Sequence, residues 1–305
     1  MDLLSITLYE NADNTNKLVD MILKNYCNED IKINNEIVNN GKINTINFYI
    51  DEESIEKNKK RYNEYINAFN HYVAIGISNY IVDTLEIKIV EKILYANYYF
   101  LKGNEKRTII EQLNKCFDNE IYDRSIDVPY KLNRKAKILY KLLDFLDEND
   151  NINIEGFVNF RLRNYLEDLY EIIDRVIEEY VMEKEYKEFI KLLKYFVDIQ
   201  ESKIELINIV VDKTGMYHFF DEKNNLINDE YIRGLISDLV DSNLNNDDML
   251  VSTLITIAPK KIVFHFVSNV KNTEIIETIK NIFDGKVYIC NNCRLCNINR
   301  IIKEE

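Results

Sequence analysis

Ile262-Val-Phe-His-Phe-Val267, Thr273-Glu-Ile-Ile-Glu-Thr-Ile-Lys-Asn-Ile-Phe283 and Lys286-Val-Tyr-Ile-Cys290 follow one another with only short connections. The first is a short apolar run, as a buried strand gives. The second repeats its apolar residues three and four apart, as a helix does, and the third is again short and apolar. Strand, helix and strand in this order form a crossover unit, which is right-handed with parallel strands in nearly all cases. Upstream, Ile204 to Asp212 alternates as a strand, and Met216 to Asp221 can pair with it across the Lys213-Thr214-Gly215 turn. Helices are expected over Asp229 to Val240 and over Asp247 to Ile257, the second stopped by Pro259. Residues 202–305 therefore read as an α/β domain with a mixed sheet.

Before this domain the period is helical. Between Phe157 and Thr214 there is neither glycine nor proline. One apolar stripe runs through Phe157, Phe160, Leu166, Leu169, Ile173, Val176, Ile177 and Tyr180, and a second through Phe189, Leu192, Leu193, Phe196 and Val197. A single helix from Phe157 to Gln200 would be about 65 Å long, so a break is expected near Met182 to Glu185, with the halves packed as an antiparallel pair. Further helices are expected over Ile66 to Ile81, Leu85 to Phe100, Glu105 to Phe117 and Lys131 to Leu146, with a joint around Asp118 to Tyr130. At the N-terminus, Ser5 to Tyr9 alternates, Asn14 to Tyr26 is helical, and Ile31 to Val38 with Ile43 to Ile50 forms a hairpin around Asn39-Asn40-Gly41. The expected class is α+β, mostly helical: a small α/β unit over 1–51, an all-α domain over 52–201 and the α/β domain over 202–305.

The chain has 305 residues, 46% hydrophobic and 30% charged, which suits an ordinary globular protein and excludes a peptide hormone, a toxin or a disordered chain. Met1 to Tyr9 lacks the basic flank and apolar core of an export signal, and no stretch approaches the roughly 18–20 apolar residues of a membrane span. Five cysteines do not read as a disulfide framework. The expected location is the cytoplasm, with no membrane partner. A net charge of −13, from 39 basic and 52 acidic residues, opposes general attraction to nucleic acid or anionic lipid.

Cys290, Cys293 and Cys296 are the one local feature that could carry chemistry. If the crossover strands are neighbours, Cys290 leaves the sheet edge at which Val267 ends, bringing His265 within reach. Three thiolates and one imidazole form an allowed set for structural zinc. His218, Cys27 and Cys116 are other candidates for the fourth ligand. An iron–sulfur cluster ranks below zinc because the fourth Cys-Pro of the ferredoxin run is absent. A dithiol redox pair wants its thiols at a helix start, which Asn291, Asn292, Arg294 and Leu295 do not establish. The bland alternative is three reduced, unliganded thiols.

Elsewhere the residues favour structure over chemistry. Lys131, Arg134, Lys135, Lys137 and Lys141 give one helix a basic surface, which offers a nucleic-acid contact but is more often a solvated face. The carboxylates from Glu167 to Glu188 lack the Glu-x-x-His pattern of di-metal bundles. His71 reads as a satisfied interior or boundary residue, and Tyr95, Tyr98, Tyr99 and Phe100 as core aromatics. No phosphate loop, nucleophile elbow or dinucleotide fingerprint is present, so no catalytic residue and no cofactor-binding residue is assigned.

At Asn153-Ile-Glu-Gly-Phe-Val-Asn-Phe-Arg-Leu-Arg163, at Glu183-Lys-Glu-Tyr-Lys-Glu-Phe-Ile190 with Leu193-Lys-Tyr-Phe-Val-Asp-Ile-Gln200, and at Leu250-Val-Ser-Thr-Leu-Ile-Thr-Ile-Ala-Pro-Lys-Lys261, the chain resembles the YtxC-like sporulation protein family. Cys290 to Cys296 fits as well. The resemblance covers nearly the whole length and is most specific over residues 131–296. It implies a setting in endospore-forming bacteria and carries no assigned activity or catalytic residue. The resulting expectation is a sporulation-associated, non-enzymatic interaction protein that binds another protein. A metal-dependent or redox enzyme using the three cysteines is the first rival, and a nucleic-acid binder acting through Lys131 to Lys141 the second.

Overall fold

A computed structural model describes residues 1–24, 26, 32–50, 62–118, 130–227, 245–293 and 296. The chain divides into two compact units, Met1–Tyr180 and Val181–Glu305.

In the first unit, β1 (Asp2–Leu8), β2 (Ile33–Asn40), β3 (Ile43–Ile50) and β4 (Asn151–Asn153) form a mixed sheet of order β2-β3-β1-β4. β1 and β3 alternate as a half-buried pair should, with Leu4, Ile6, Leu8, Ile46, Phe48 and Ile50 on the buried side. The β2–β3 hairpin turns at Gly41, whose φ of 79° suits glycine and whose N–H donates to Asn39 Oδ1. Sequence patterning missed β4. It is three residues long and lies alongside β1 in parallel, so a strand from within 52–201 completes the sheet of the first fifty residues. Asn153 then caps the next helix by accepting from Gly156 N at 2.7 Å.

The helices are α1 (Ala12–Leu23), α2 (Tyr62–Tyr80), α3 (Glu86–Asn97), α4 (Gly103–Asp118), α5 (Tyr130–Leu146), α6 (Ile154–Arg161) and α7 (Arg163–Ile199). α2 and α3 are joined by a π-helical turn, Ile81–Leu85, with Ile81, Val82, Thr84 and Leu85 buried. At its end Glu86 accepts from Arg134 Nη2 at 2.8 Å and from the Tyr165 hydroxyl at 2.7 Å, with both members of the ion pair buried. Burial pushes the Glu86 carboxyl up against the opposing pull of Arg134 and Tyr165.

The expected break near Met182 to Glu185 is absent. The helix is interrupted at Leu162 and then runs unbroken as α7 to Ile199, so there is no antiparallel pair of halves. A single compact domain would not hold such a length. Here Tyr165, Leu169, Ile173, Val176 and Ile177 are buried within the first unit, while Ile190 and Val197 enter the core of the second. The solvated stretch between them carries the i,i+4 pairs Lys187–Glu183 and Lys184–Glu188.

In the second unit, β5 (Leu206–Val211), β6 (Tyr217–Phe220), β7 (Lys261–His265) and β8 (Val287–Ile289) form a mixed sheet of order β6-β5-β7-β8. β5, β7 and β8 are parallel, and β6 pairs antiparallel with β5. The crossover from β7 through α9 (Glu274–Ile282) to β8 is the one expected from the opening stretch. Ile207, Ile209, Val211, Ile262 and Phe264 share a core with Leu250, Leu254 and Ile257 of α8 (Asn246–Ile257) and with Ile276 and Ile279 of α9. The helix expected over Asp229 to Val240 lies outside the described residues. β7 stops at His265, two residues earlier than expected, because Phe266 adopts a left-handed φ of 58° and a 3-10 turn follows. Among the described residues, the fold is mostly helical with a mixed sheet toward each end of the chain.

Candidate metal centre

Alternation along β7 decides where His265 points. Ile262 and Phe264 enter the core, so Val263 and His265 take the other face, where β5 places Asn208 and Val210. His265 is 2% exposed. β8 lies beside β7, and the N–H of Cys290 donates to Phe264 O at 2.8 Å, extending the ladder by one bond. The first thiol is thereby set next to His265. The chain then turns through Asn292, which has a positive φ and donates its N–H to Cys290 Sγ at 3.4 Å.

This turn gathers His265, Cys290, Cys293 and Cys296, whose donor atoms all lie within 4.8 Å of one another. His265 Nδ1 stands 3.3 Å from Cys296 Sγ and 3.6 Å from Cys293 Sγ. Cys296 Sγ is 3.9 Å from both Cys290 Sγ and Cys293 Sγ. A tetrahedral zinc with Zn–S of about 2.3 Å and Zn–N of about 2.0–2.1 Å places sulfurs about 3.8 Å apart and nitrogen about 3.6 Å from each sulfur. Four of the six separations lie within about 0.3 Å of the edges of such a tetrahedron, and all six are within 4.8 Å. In a four-iron cluster each thiolate binds a different iron, so the sulfurs are held wider apart than this by the iron–iron separation.

A neighbour not foreseen from spacing orients the imidazole. Asn208 Nδ2 donates to Asp221 O at 3.1 Å, leaving Oδ1 as the acceptor that faces His265 Nε2 at 3.1 Å. Nε2 therefore carries the ring proton, and Nδ1 presents its lone pair to the sulfurs. The signal was the one amide in the otherwise apolar strand Leu206-Ile-Asn-Ile-Val-Val211. Burial pulls the His265 pKa down, favouring the neutral ligand form. Burial, with the Cys290 and Cys293 thiols close by, pushes Cys296 up to about 11, even though a backbone hydrogen bond from Cys293 opposes the shift. Without a cation the Cys296 thiol resists becoming a thiolate. A divalent ion would reverse that preference. These four residues can hold a metal ion.

The other candidates lie elsewhere. His218 Nε2 faces Asp212 Oδ2 at 3.1 Å, Cys116 sits in α4 of the first unit, and Cys27 lies outside the described residues. His71 is exposed rather than interior or boundary, with Nδ1 at 2.8 Å from Asn67 O. The aromatic cluster is also more exposed than expected: Tyr95 faces solvent from the outer side of α3, and Tyr99 and Phe100 lie exposed beyond its end at Asn97. The basic helix is largely neutralised. Lys131 and Lys135 pair with Asp83, Lys137 pairs with Asp168, and Arg134 is buried against Glu86.

A model of the YtxC-like family matches residues 71–288. The chain belongs to the YtxC-like family. It is 29% identical over 202 residues to the uncharacterized protein YtxC of Bacillus subtilis (strain 168), covering 64% of this chain and 68% of that protein. No solved structure matches. The family match takes in Asn208 and His265 and stops just short of Cys290. Among the described residues, no helix is long and apolar enough to cross a membrane.

Proposed function

We propose that this protein is a cytoplasmic, sporulation-associated interaction protein without enzymatic activity, whose C-terminal α/β unit is stapled by one zinc ion on His265, Cys290, Cys293 and Cys296. The observation that carries the metal reading is the convergence of four protein donors within 4.8 Å, with four of their six separations close to tetrahedral edges. Four side-chain ligands complete the coordination sphere that structural zinc adopts and leave no position for a substrate, whereas catalytic zinc keeps one open. The sporulation setting rests on the family resemblance. A protein partner fits a chain with no assigned chemistry and a net charge that disfavours nucleic acid.

Elemental analysis with an ultraviolet–visible spectrum of anaerobically purified protein tests the metal. One zinc per chain and no visible absorption is the expected result, while colour and iron would replace zinc with a cluster. Cys293→Ser is expected to lose both zinc and thermal stability. A variant that loses zinc yet keeps its stability would move the centre from staple to active site.

A further inference from the structure

A cleft of about 390 Å³ lies within the first unit, lined by the turn after β1, by α3 and by the starts of α6 and α7. Pockets of this size take small molecules. Leu85, Ile89, Ile93, Val158 and Leu166 give it apolar walls, and Glu10, Lys88, Lys92 and Glu155 are its charged side chains. Two of these charges satisfy each other: Lys88 Nζ donates to both carboxylate oxygens of Glu10. The other two are left over. Glu155 Oε1 accepts from Tyr9 N at 2.8 Å, whereas Oε2 is buried with no hydrogen-bond partner among the described residues. Lys92 is exposed and likewise has no hydrogen bond or ion pair among the described residues. We propose that this cleft binds a zwitterion with an apolar body, a free apolar amino acid or a short apolar peptide, whose ammonium is held by Glu155 and whose carboxylate is held by Lys92.

The ligand class follows from the charges left over. A buried acceptor without a donor is unfavourable, so Glu155 Oε2 calls for a donor from outside the chain. Burial pushes the Glu155 carboxyl up, with the Tyr9 N–H and Lys88 opposing, and an ammonium beside it would oppose the shift further. A simple cation would also meet Lys88 and Lys92. A simple anion would leave Oε2 unmet and would face Glu10. With both carboxyls ionised the four side chains carry two charges of each sign, so a neutral ligand that bears both signs is the one that leaves neither Glu155 nor Lys92 without a partner. Lys88 acts electrostatically on Glu155, and Lys92 stands four residues further along α3, about 6 Å along its axis. The free negative and free positive ends of the cleft are therefore distinct. Ile89 and Ile93 follow the two lysines in sequence and line the same cleft, so apolar wall accompanies both ends.

Isothermal titration calorimetry of the full chain with L-leucine and with L-leucyl-L-leucine tests this. Saturable binding is expected for at least one of them, and the tighter of the two shows whether the cleft is built for a free amino acid or for a peptide. Acetylating the amine or amidating the carboxylate of that compound is expected to weaken binding by about tenfold or more, the worth of one hydrogen bond between charged groups. Lys92→Met should weaken the free compound to the same extent and erase its advantage over the amide. Glu155→Gln, whose amide oxygen still accepts from Tyr9 N, should erase the advantage over the acetylated form. Lys92 is exposed and unpaired among the described residues, so its replacement should leave the melting temperature unchanged. The cleft belongs to the first unit and the candidate metal centre to the second, so zinc content should stay the same in both variants. No saturable binding of either compound, equal binding of the blocked forms, or a Lys92→Met chain that still prefers the free carboxylate would each overturn the proposal.

Discussion

Asn208 shows what a single residue can do without being one of the four side chains that could hold a metal. Its amide is clamped by Asp221 O on one side and holds His265 on the other, so Asn208→Leu removes the acceptor that fixes the imidazole tautomer. Loss of such an orienting partner reduces metal affinity by roughly 10–100-fold, which competition with a chromogenic chelator should report. Asp212 is a second case. Burial pushes its carboxyl up, but hydrogen bonds from the Thr214 and His218 side chains and from the Met216 and Thr214 backbone outweigh this and hold it well below the usual carboxylate range. A depressed folded pKa stabilises the fold above the unfolded value of about 3.9, and that contribution disappears as pH falls toward the folded value. Asp212→Asn should therefore lower stability at neutral pH by on the order of 1–2 kcal/mol, discounting for partial exposure, and flatten the acid limb of a denaturant-midpoint titration. At this scale the sequence revealed the thiols by their spacing and His265 by the crossover. It hid Asn208, because its partner on β7 lies far along the chain.

Elements were legible wherever local periodicity sufficed. The hairpin, the helices flanked by clear breaks and the β7–α9–β8 crossover followed from patterns within a dozen residues. β4 did not, since three residues carry no period and the strand exists only because β1 is beside it. The unbroken α7 was misread for a related reason: nothing local ends it, and the length argument assumed one core where there are two. Close packing between elements was equally invisible. A Cβ placed on Gly76 of α2 would stand 2.5 Å from Ile22 Cγ1 and 2.9 Å from Ile22 Cα of α1. The backbone of Ile22 cannot retreat as a flexible side-chain tip could, so the general helix-favouring effect of alanine should lose to overpacking. Gly76→Ala is expected to destabilise by about 1–3 kcal/mol, measured by urea denaturation, whereas propensity alone would make it stabilising by about 1 kcal/mol.

Over the whole molecule the two units are held by different kinds of interaction, and this makes their stabilities separable. The first unit buries the Glu86–Arg134 pair, where loss of one partner strands a charge and costs about 3–5 kcal/mol. The second has a core shared by β5, β7, α8 and α9, and the proposed zinc would tie the loop after β8 to the end of β7. A ligand that binds only the folded state stabilises that state alone. Scanning calorimetry of the zinc-loaded chain should therefore show two transitions. A strong zinc chelator should lower one of them, and Glu86→Leu should lower the other while zinc content stays constant. The stretch of α7 from Tyr180 to Phe189 buries no large side chain. A single transition shifted equally by chelator and by Glu86→Leu would show that the cores melt together.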